Sequence, residues 1–161
     1  MIANILAFQA GWAVAVILGS VYAVVFTAAY LLCHHFFLVT RQREWLLIGG
    51  TALVGTFADS ILKYFGVLDF YNTDLIVPMW LTCLWILFGT TLCHSLRWMK
   101  NLPWLAAGFA AIAGPCSYYA GARLNEVSLG EPVWVSLLVL SLWWGSFFPL
   151  VMKASKWVGH E

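Results

Sequence analysis

The sequence predicts an all-α fold, a polytopic transmembrane helical bundle that forms a single integral-membrane domain over residues 1–161. Three observations lead to this prediction. The chain is 63% hydrophobic and only 9% charged, with a mean hydropathy of +0.87, whereas a soluble domain carries about 25% charged residues. The segment from Met1 to Thr40 contains no Asp, Glu, Lys or Arg. Apolar stretches long enough to cross a bilayer then recur along the rest of the chain.

Six apolar stretches approach the length of about 20 residues that a spanning helix needs. In chain order they are Asn4–Leu18, Val21–Val39, Trp45–Val67, Met79–Leu96, Pro103–Ala122 and Val133–Met152. The first stretch is short and ends at Gly19-Ser20. A turn is expected there because one unbroken helix over the charge-free start would be close to twice as long as the bilayer is thick.

Charged residues alternate in sign between successive stretches. Basic residues follow the second, fourth and sixth stretches, namely Arg41, Arg43, Arg97, Lys100, Lys153 and Lys156. The other loops carry mainly acidic residues, namely Asp69, Asp74, Glu126 and Glu131, together with Arg123. Because cytoplasmic loops of membrane proteins carry the excess of Lys and Arg, the sequence predicts that both termini lie in the cytoplasm.

An internal repeat relates two parts of the chain. After a shift of 59 residues, Trp45, Gly49, Ala52 and Gly55 coincide with Trp104, Gly108, Ala111 and Gly114. One residue of slack also aligns Leu32-Cys33-His34 with Leu92-Cys93-His94. The matching unit is a helical hairpin, spans 2 and 3 against spans 4 and 5, and both copies enter from the same side, as in a parallel repeat. The small residues predict that the third and fifth spans are close-packed, central helices.

An outer polar layer is predicted in the third and fifth spans. It contains Asp59, Lys63, Ser117, Tyr118 and Arg123. A carboxylate at membrane depth is costly and therefore marks a functional candidate, although Asp59 and Lys63 also have the spacing of an intrahelical ion pair. Arg123 suits an anionic group. We therefore expect Asp59, Tyr118 and Arg123 to converge on a ligand-binding polar pocket that opens towards the periplasmic interface.

An inner polar layer is predicted near the cytoplasmic side. Its members are Gln9, His34, Thr91 and His94, beside His35 and Thr90. They are either satisfied polar residues or ligands. His34 and His94 at one depth would suit a haem iron, and Cys33 and Cys93 would suit a soft metal. Adjacent helical residues point about 100° apart, so Cys33 and His34 cannot easily coordinate one ion. We expect no resident metal or cofactor, with haem on His34 and His94 as the alternative.

Several function classes are disfavoured by what the sequence lacks. The net charge of +1 indicates no nucleic-acid partner. There is no GxSxG, no HExxH and no phosphate-cradling glycine loop, so no reaction is indicated and the question of an enzyme stays open. Pro115 interrupts the fifth stretch and predicts a kink, since proline removes a backbone donor.

Four segments carry a resemblance to a known family. They read FQAGW, FADS, TTLCHSLRWM and GPCSYYAGARL, and the chain resembles, over essentially its whole length, the bacterial family known as domain of unknown function 2878. The resemblance implies a multi-pass inner-membrane protein of a Gram-negative bacterium. By gene neighbourhood alone it implies an envelope lipid-modifying enzyme as a partner. It points to five residues, namely Asp59, His94, Ser117, Tyr118 and Arg123.

The polar layers lie where lipid head groups lie. The sequence therefore favours a binding or accessory component of membrane-lipid or envelope metabolism, with the bilayer and its head groups as partners. A small transporter or channel is an alternative, weakened because Asp59 of one repeat copy aligns with Tyr118 of the other. A structural membrane scaffold is another alternative, and oligomerisation stays open.

Overall fold

The computed structural model describes residues 2–39, 41–70, 76–124 and 127–159, and most of these residues are helical. Six α-helices follow one another in the described residues: α1 Ile2–Leu18, α2 Ser20–Phe37, α3 Arg43–Tyr64, α4 Met79–Thr91, α5 Pro103–Leu124 and α6 Val133–Gly159. A 3-10 helix, Arg97–Asn101, precedes α5, and two short strands, β1 Leu68–Phe70 and β2 Val127–Leu129, follow α3 and α5. The predicted all-helical class is confirmed.

Three helices are long and apolar enough to cross a membrane. By length and composition these are α2, α3 and the segment Val133–Val158 of α6. The helices α1 and α4 are apolar but shorter, at 17 and 13 residues. These helices have the composition of a membrane protein, with large apolar side chains exposed on their outer surfaces.

The helix α4 ends at Thr91, before the predicted end at Leu96. The hydroxyls of Thr90 and Thr91 donate to the carbonyls of Leu87 and Phe88, both at 2.6 Å. Such side-chain bonds to the backbone compete with helix continuation, and the chain leaves the helix through a series of turns. As a result His94 lies in this turn segment and not within a spanning helix.

The helix α5 continues through Pro115, although the sequence predicted an interruption there. Proline has no N–H, so the carbonyl of Ala111, four residues earlier, loses its helical donor. The hydroxyl of Ser141 in α6 donates to that carbonyl at 2.8 Å. The released backbone group is therefore satisfied by the neighbouring helix.

The repeated glycines face tryptophan rings. The helices α5 and α6 pack closely, as do α3 and α4, whereas α3 and α5 are not a closely packed pair among the described residues. A Cβ atom on Gly55 would overlap the indole of Trp85, and one on Gly114 would overlap that of Trp144. The two indoles stack with centroids 4.9 Å apart and planes 8° apart. The expected direct packing of the third span on the fifth is therefore wrong, because two aromatic rings lie between the glycine faces.

A two-stranded sheet marks one end of the bundle, here called the strand end. The strands pair antiparallel, with Leu68 opposite Leu129 and Phe70 opposite Val127, and the sequence did not predict them. The opposite end, here called the basic end, carries Arg41, Arg43, Arg97, Lys100, Lys153 and Lys156. There the Lys100 ammonium donates to the Ser155 carbonyl at 3.1 Å. Two acidic residues of the predicted outer loops, Asp74 and Glu126, lie outside the described residues.

Candidate functional site

A buried carboxylate joins three helices in the middle of the bundle. Asp59 of α3 has no exposed surface. Its Oδ2 accepts a hydrogen bond from the Trp85 indole of α4 at 2.6 Å, and its Oδ1 accepts one from the Tyr118 hydroxyl of α5 at 2.7 Å. Both donors are neutral groups. We call these three residues the Asp59 cluster.

Aromatic rings enclose the Asp59 cluster. Trp144 stacks on Trp85, the ring of Phe147 meets Trp85 edge-on at 5.6 Å, and Gly55 admits the Trp85 indole against α3. Removing a partner from a buried polar group costs about 1–3 kcal/mol. The cluster therefore holds α3, α4 and α5 in fixed relative positions.

Two predicted outer-layer residues are placed differently. Arg123 is exposed and donates to the hydroxyl of Tyr119, from Nη2 at 2.7 Å and from Nε at 3.2 Å. Helical residues advance by about 100° each, so Arg123 and Tyr118 lie roughly 140° apart around α5. Asp59 and Tyr118 meet as expected, whereas Arg123 forms no ion pair with Asp59. Lys63 lies half-buried in the last turn of α3.

A second buried carboxylate lies at the basic end. The Oε1 atom of Glu44 lies 2.9 Å from Nε2 of His34 and 2.8 Å from Nε2 of His94. The side chains of His34 and Glu44 are 0% and 3% exposed, and that of His94 is 18% exposed. The two imidazole planes stand 88° apart with centroids separated by 5.1 Å. We call His34, Glu44 and His94 the histidine cluster.

A polar network supports the histidine cluster. The Oδ1 atom of Asn4 accepts from the Ser95 hydroxyl at 2.6 Å, and its Nδ2 donates to the Tyr30 hydroxyl at 2.7 Å. The Tyr30 ring lies 5.8 Å from that of His34. The Nδ1 atom of His34 is buried and has no hydrogen-bond partner within the described part of the chain. The ring of His34 is thus held by Glu44 on one nitrogen only.

The sequence predicted the two histidines as candidate site residues but not Glu44, Asn4 and Ser95. Glu44 had a usable signal, because it is the single acidic residue in the basic turn between the second and third spans. Asn4 and Ser95 had none, since each is one small polar residue next to a long apolar stretch.

An aromatic cleft of about 500 Å³ lies between α1, α4, α5 and α6. It continues towards the strand end as a smaller cavity of about 80 Å³ beside the Asp59 cluster. The two share the residues Phe8, Trp12, Phe88, Ser117 and Trp144. The Trp12 indole donates to the Ser117 hydroxyl at 3.0 Å. The aromatic cleft therefore connects the two predicted polar layers along the bundle.

The aromatic cleft opens sideways. Its rim includes three exposed residues, Gln9 of α1 and Phe109 and Cys116 of α5. The helix α1 packs mainly on α2 and α4, and its contact with α5 is sparse. The predicted site residues Gln9, Thr91 and Ser117 all line this one cleft, although the sequence assigned them to two separate layers.

Comparison with known proteins places the chain at the level of a family. No curated protein and no solved structure matches it. The model of one protein family matches residues 1–150, which is nearly the whole chain. The resemblance carried by the four sequence segments is thereby confirmed. The chain belongs to the family described as Protein of unknown function (DUF2878).

Proposed function

We propose that this protein binds one hydrocarbon chain of a membrane lipid in the aromatic cleft, as a binding or accessory component of membrane-lipid or envelope metabolism. The observation that carries the proposal is the cleft itself. Its volume of about 500 Å³ falls within the roughly 300–1,000 Å³ of small-molecule sites. Apolar and aromatic side chains dominate its wall, as in sites that bind apolar ligands.

The polar side chains of the aromatic cleft suit the oxygen-bearing part of such a lipid. The amide of Gln9 and the hydroxyls of Thr91 and Ser117 lie among aromatic rings. Few and separated polar groups in an apolar wall orient a ligand. The sideways opening between α1 and α5 would admit a lipid directly from the bilayer. A channel would instead need a polar path through the bundle, which the apolar wall does not favour.

The topology belongs to the same proposal. All six helices cross the inner membrane of a bacterium, and both termini lie in the cytoplasm. The concentration of Lys and Arg at the basic end supports this orientation. The open edges of the two-stranded sheet support a position of the strand end outside the hydrocarbon core, because such edges are not tolerated against lipid. Reporter fusions after Leu129 and after Thr73, which lies outside the described residues, are expected to give a periplasmic signal. A fusion after Lys100 should give a cytoplasmic one.

A parallel helical-hairpin repeat also belongs to this proposal. The shift of 59 residues that relates spans 2–3 to spans 4–5 also relates Gly55 to Gly114 and Trp85 to Trp144. The two glycine–tryptophan contacts are thus equivalent. The same shift carries β1 onto β2. These matches support an extension of the repeat through the fourth and sixth helices.

Native mass spectrometry of the protein in mild detergent tests lipid binding. We expect retained lipid on the wild type and its loss in Ala113→Trp, because Ala113 lines the aromatic cleft and an indole would fill part of it. Ile112→Trp is the matched control, since the neighbouring residue is 69% exposed. Equal retention in both variants would exclude the cleft as the site.

The same measurement separates the alternative functions. A wild type that carries no lipid and adds none from supplied phospholipid would contradict the proposal and favour a structural membrane scaffold. Ion or solute flux through liposomes containing the protein, without retained lipid, would favour a small transporter or channel. Either result can be reached whether or not the protein forms oligomers.

A further inference from the structure

We propose that His34, Glu44 and His94 form a binding site for a divalent transition-metal ion, with Zn²⁺ as the best match to the donor set. The three ligand atoms lie within 4.8 Å of one another. They come from α2, from the first turn of α3 and from the turn segment after α4. Their convergence is therefore a product of the fold and not of a local sequence motif.

The distances approach those of a small cation site. Zinc binds histidine nitrogens at about 2.0–2.1 Å and carboxylate oxygens at about 2.0–2.2 Å. Ligand atoms in such a tetrahedron lie roughly 3.3 Å apart. The Glu44 oxygen is now 2.9 Å from one nitrogen and 2.8 Å from the other, and the two nitrogens lie within 4.8 Å of each other. Around an ion the oxygen would move away from each nitrogen by a few tenths of an ångström, and the two imidazoles would rotate towards each other by up to roughly 1.5 Å.

The protonation chemistry of the imidazoles permits this exchange. As long as Glu44 is an ionised acceptor, both Nε2 atoms must carry a hydrogen atom to bond to it. A cation needs the other tautomer, with a bare Nε2 atom and the hydrogen atom on Nδ1. In His34 no described residue bonds to Nδ1, so no protein acceptor or donor fixes the tautomer from that side. In metal sites this outer N–H usually donates to a carboxylate, a backbone carbonyl or a water molecule.

The donor set indicates the class of metal. Two imidazoles and one carboxylate are the protein ligands of one class of catalytic zinc site, which keeps a fourth position open for water or substrate, and the same set holds non-haem iron(II) in other proteins. Both nitrogens approach the same Glu44 oxygen, an arrangement in which the three donors share one side of the ion. Haem would need the two histidines on opposite faces of a flat ring, with Glu44 removed from between them. We therefore expect no Soret band from protein expressed with haem precursor.

The metal has a route to the site. The side chain of His94 is 18% exposed whereas those of His34 and Glu44 are buried. The ion would enter at the basic end beside His94, the most accessible ligand. The proposal departs from the sequence-based expectation of no metal because that expectation weighed Cys33 and Cys93 as further ligands and did not consider Glu44.

The experiment uses the full chain in detergent, purified without a metal-affinity tag and stripped with a chelator. Zinc alone is titrated against a competing chromophoric chelator, and cobalt alone is added as a spectroscopic probe. We expect one zinc ion per chain and visible cobalt absorption typical of tetrahedral coordination. His94→Gln and Glu44→Gln should each weaken zinc binding by at least about tenfold, the lower range seen for second-shell changes. His35→Gln is the matched control, since His35 is an adjacent, exposed histidine.

Two results would overturn the proposal. One is a wild type that takes up less than a tenth of an equivalent of zinc under these conditions. The other is a zinc affinity that falls as much in His35→Gln as in His94→Gln. Thermal unfolding of the metal-free proteins provides the folding control, and the same zinc concentration should raise the melting temperature of the wild type by more than that of His94→Gln. If His94→Gln does not fold, Glu44→Gln serves as the second variant, and a wild type without zinc uptake overturns the proposal in either case.

Discussion

The Asp59 cluster and the histidine cluster each stabilise a buried carboxylate, but they do so with different chemical groups. Each holds a buried carboxylate against two side chains from other segments of the chain. The partners of Asp59 are an indole and a phenol, which keep their hydrogen atoms at neutral pH. The partners of Glu44 are imidazoles, which can lose a proton or move it to the other nitrogen. The first cluster is suited to fixing helices, and the second is suited to exchanging a proton or an ion.

The surroundings of the two clusters also differ, since one is enclosed and the other is accessible. The Asp59 cluster is enclosed by stacked tryptophans in the middle of the bundle. The histidine cluster lies at the basic end, where His94 is partly exposed. A fixed support and an accessible site are therefore found at different levels of α3, which carries both carboxylates.

The largest effect is expected from a substitution that disturbs the aromatic rings around the Asp59 cluster. In Gly114→Leu the new side chain would occupy the space of the Trp144 indole, and overpacking of this kind displaces neighbouring side chains and backbone. We expect no monodisperse folded protein in size-exclusion chromatography. Gly108→Leu is the control, because no atom lies within 4 Å of a Cβ atom built there. A Gly114→Leu protein with wild-type melting temperature would show that the enclosure is not rigid.

The next largest effect is expected inside the Asp59 cluster. Asp59→Ala leaves the donors of Trp85 and Tyr118 without an acceptor, at about 1–3 kcal/mol for each buried group. Tyr118→Phe removes one bond and should cost less. Because the two residues touch, the double variant should be more stable than the sum of the single effects predicts. Additive losses in chemical unfolding would mean that the bond between them contributes nothing.

A smaller effect is expected from the same change in the histidine cluster. Glu44→Ala should lower the free energy of unfolding of metal-free protein by about 1–3 kcal/mol, the cost of one buried unpaired group. Only His34 stays buried without its partner, because the His94 side chain is 18% exposed and can bond to water. The comparison is made with Asp59→Ala under identical unfolding conditions. If Glu44→Ala lost as much unfolding free energy as Asp59→Ala or more, the two clusters would not differ in how strongly their donors depend on the carboxylate.

The smallest effect is expected at Arg123. Its guanidinium contacts Tyr119 on the exposed face of α5, and surface substitutions of this kind change stability by less than about 0.5 kcal/mol. Arg123→Ala should therefore unfold like the wild type, with Tyr119→Phe as its companion variant. A loss of unfolding free energy as large as that of Tyr118→Phe would instead show that Arg123 supports the Asp59 cluster, as the sequence predicted.

Much of the helical framework was predictable from the sequence. The apolar lengths predicted each helix to within a few residues at most ends, because an apolar helix carries its signal in every residue. The end of α4 was not predictable in this way. Thr90 and Thr91 bond back to the α4 backbone, and the neighbouring residues up to Leu96 are apolar enough to continue a helix. The strands were hidden because three residues in a loop show no period.

The sites were predictable only in part. Depth along the helices predicted that Asp59 and Tyr118 would meet, and that His34 and His94 would lie at one level. Depth carries no information about the direction of a side chain around its helix, and Arg123 was misplaced for that reason. Glu44 was overlooked because it sits among basic residues in a turn, where an acid looks like a solvated charge. The aromatic cleft depends on the spacing of four helices, which no single segment encodes.

The paired strands also bear on the order of events during synthesis. β1 leaves the ribosome before α4 and α5, whereas its partner β2 follows α5. A chain is synthesised from its N-terminus, so β1 has no strand partner until the fifth helix and β2 have been made. The pairing of Asp69 with Ser128 then closes a long loop in one step. The sheet therefore forms late. A chain that stalls before residue 127 exposes an open strand edge to quality-control proteases or to a second nascent chain.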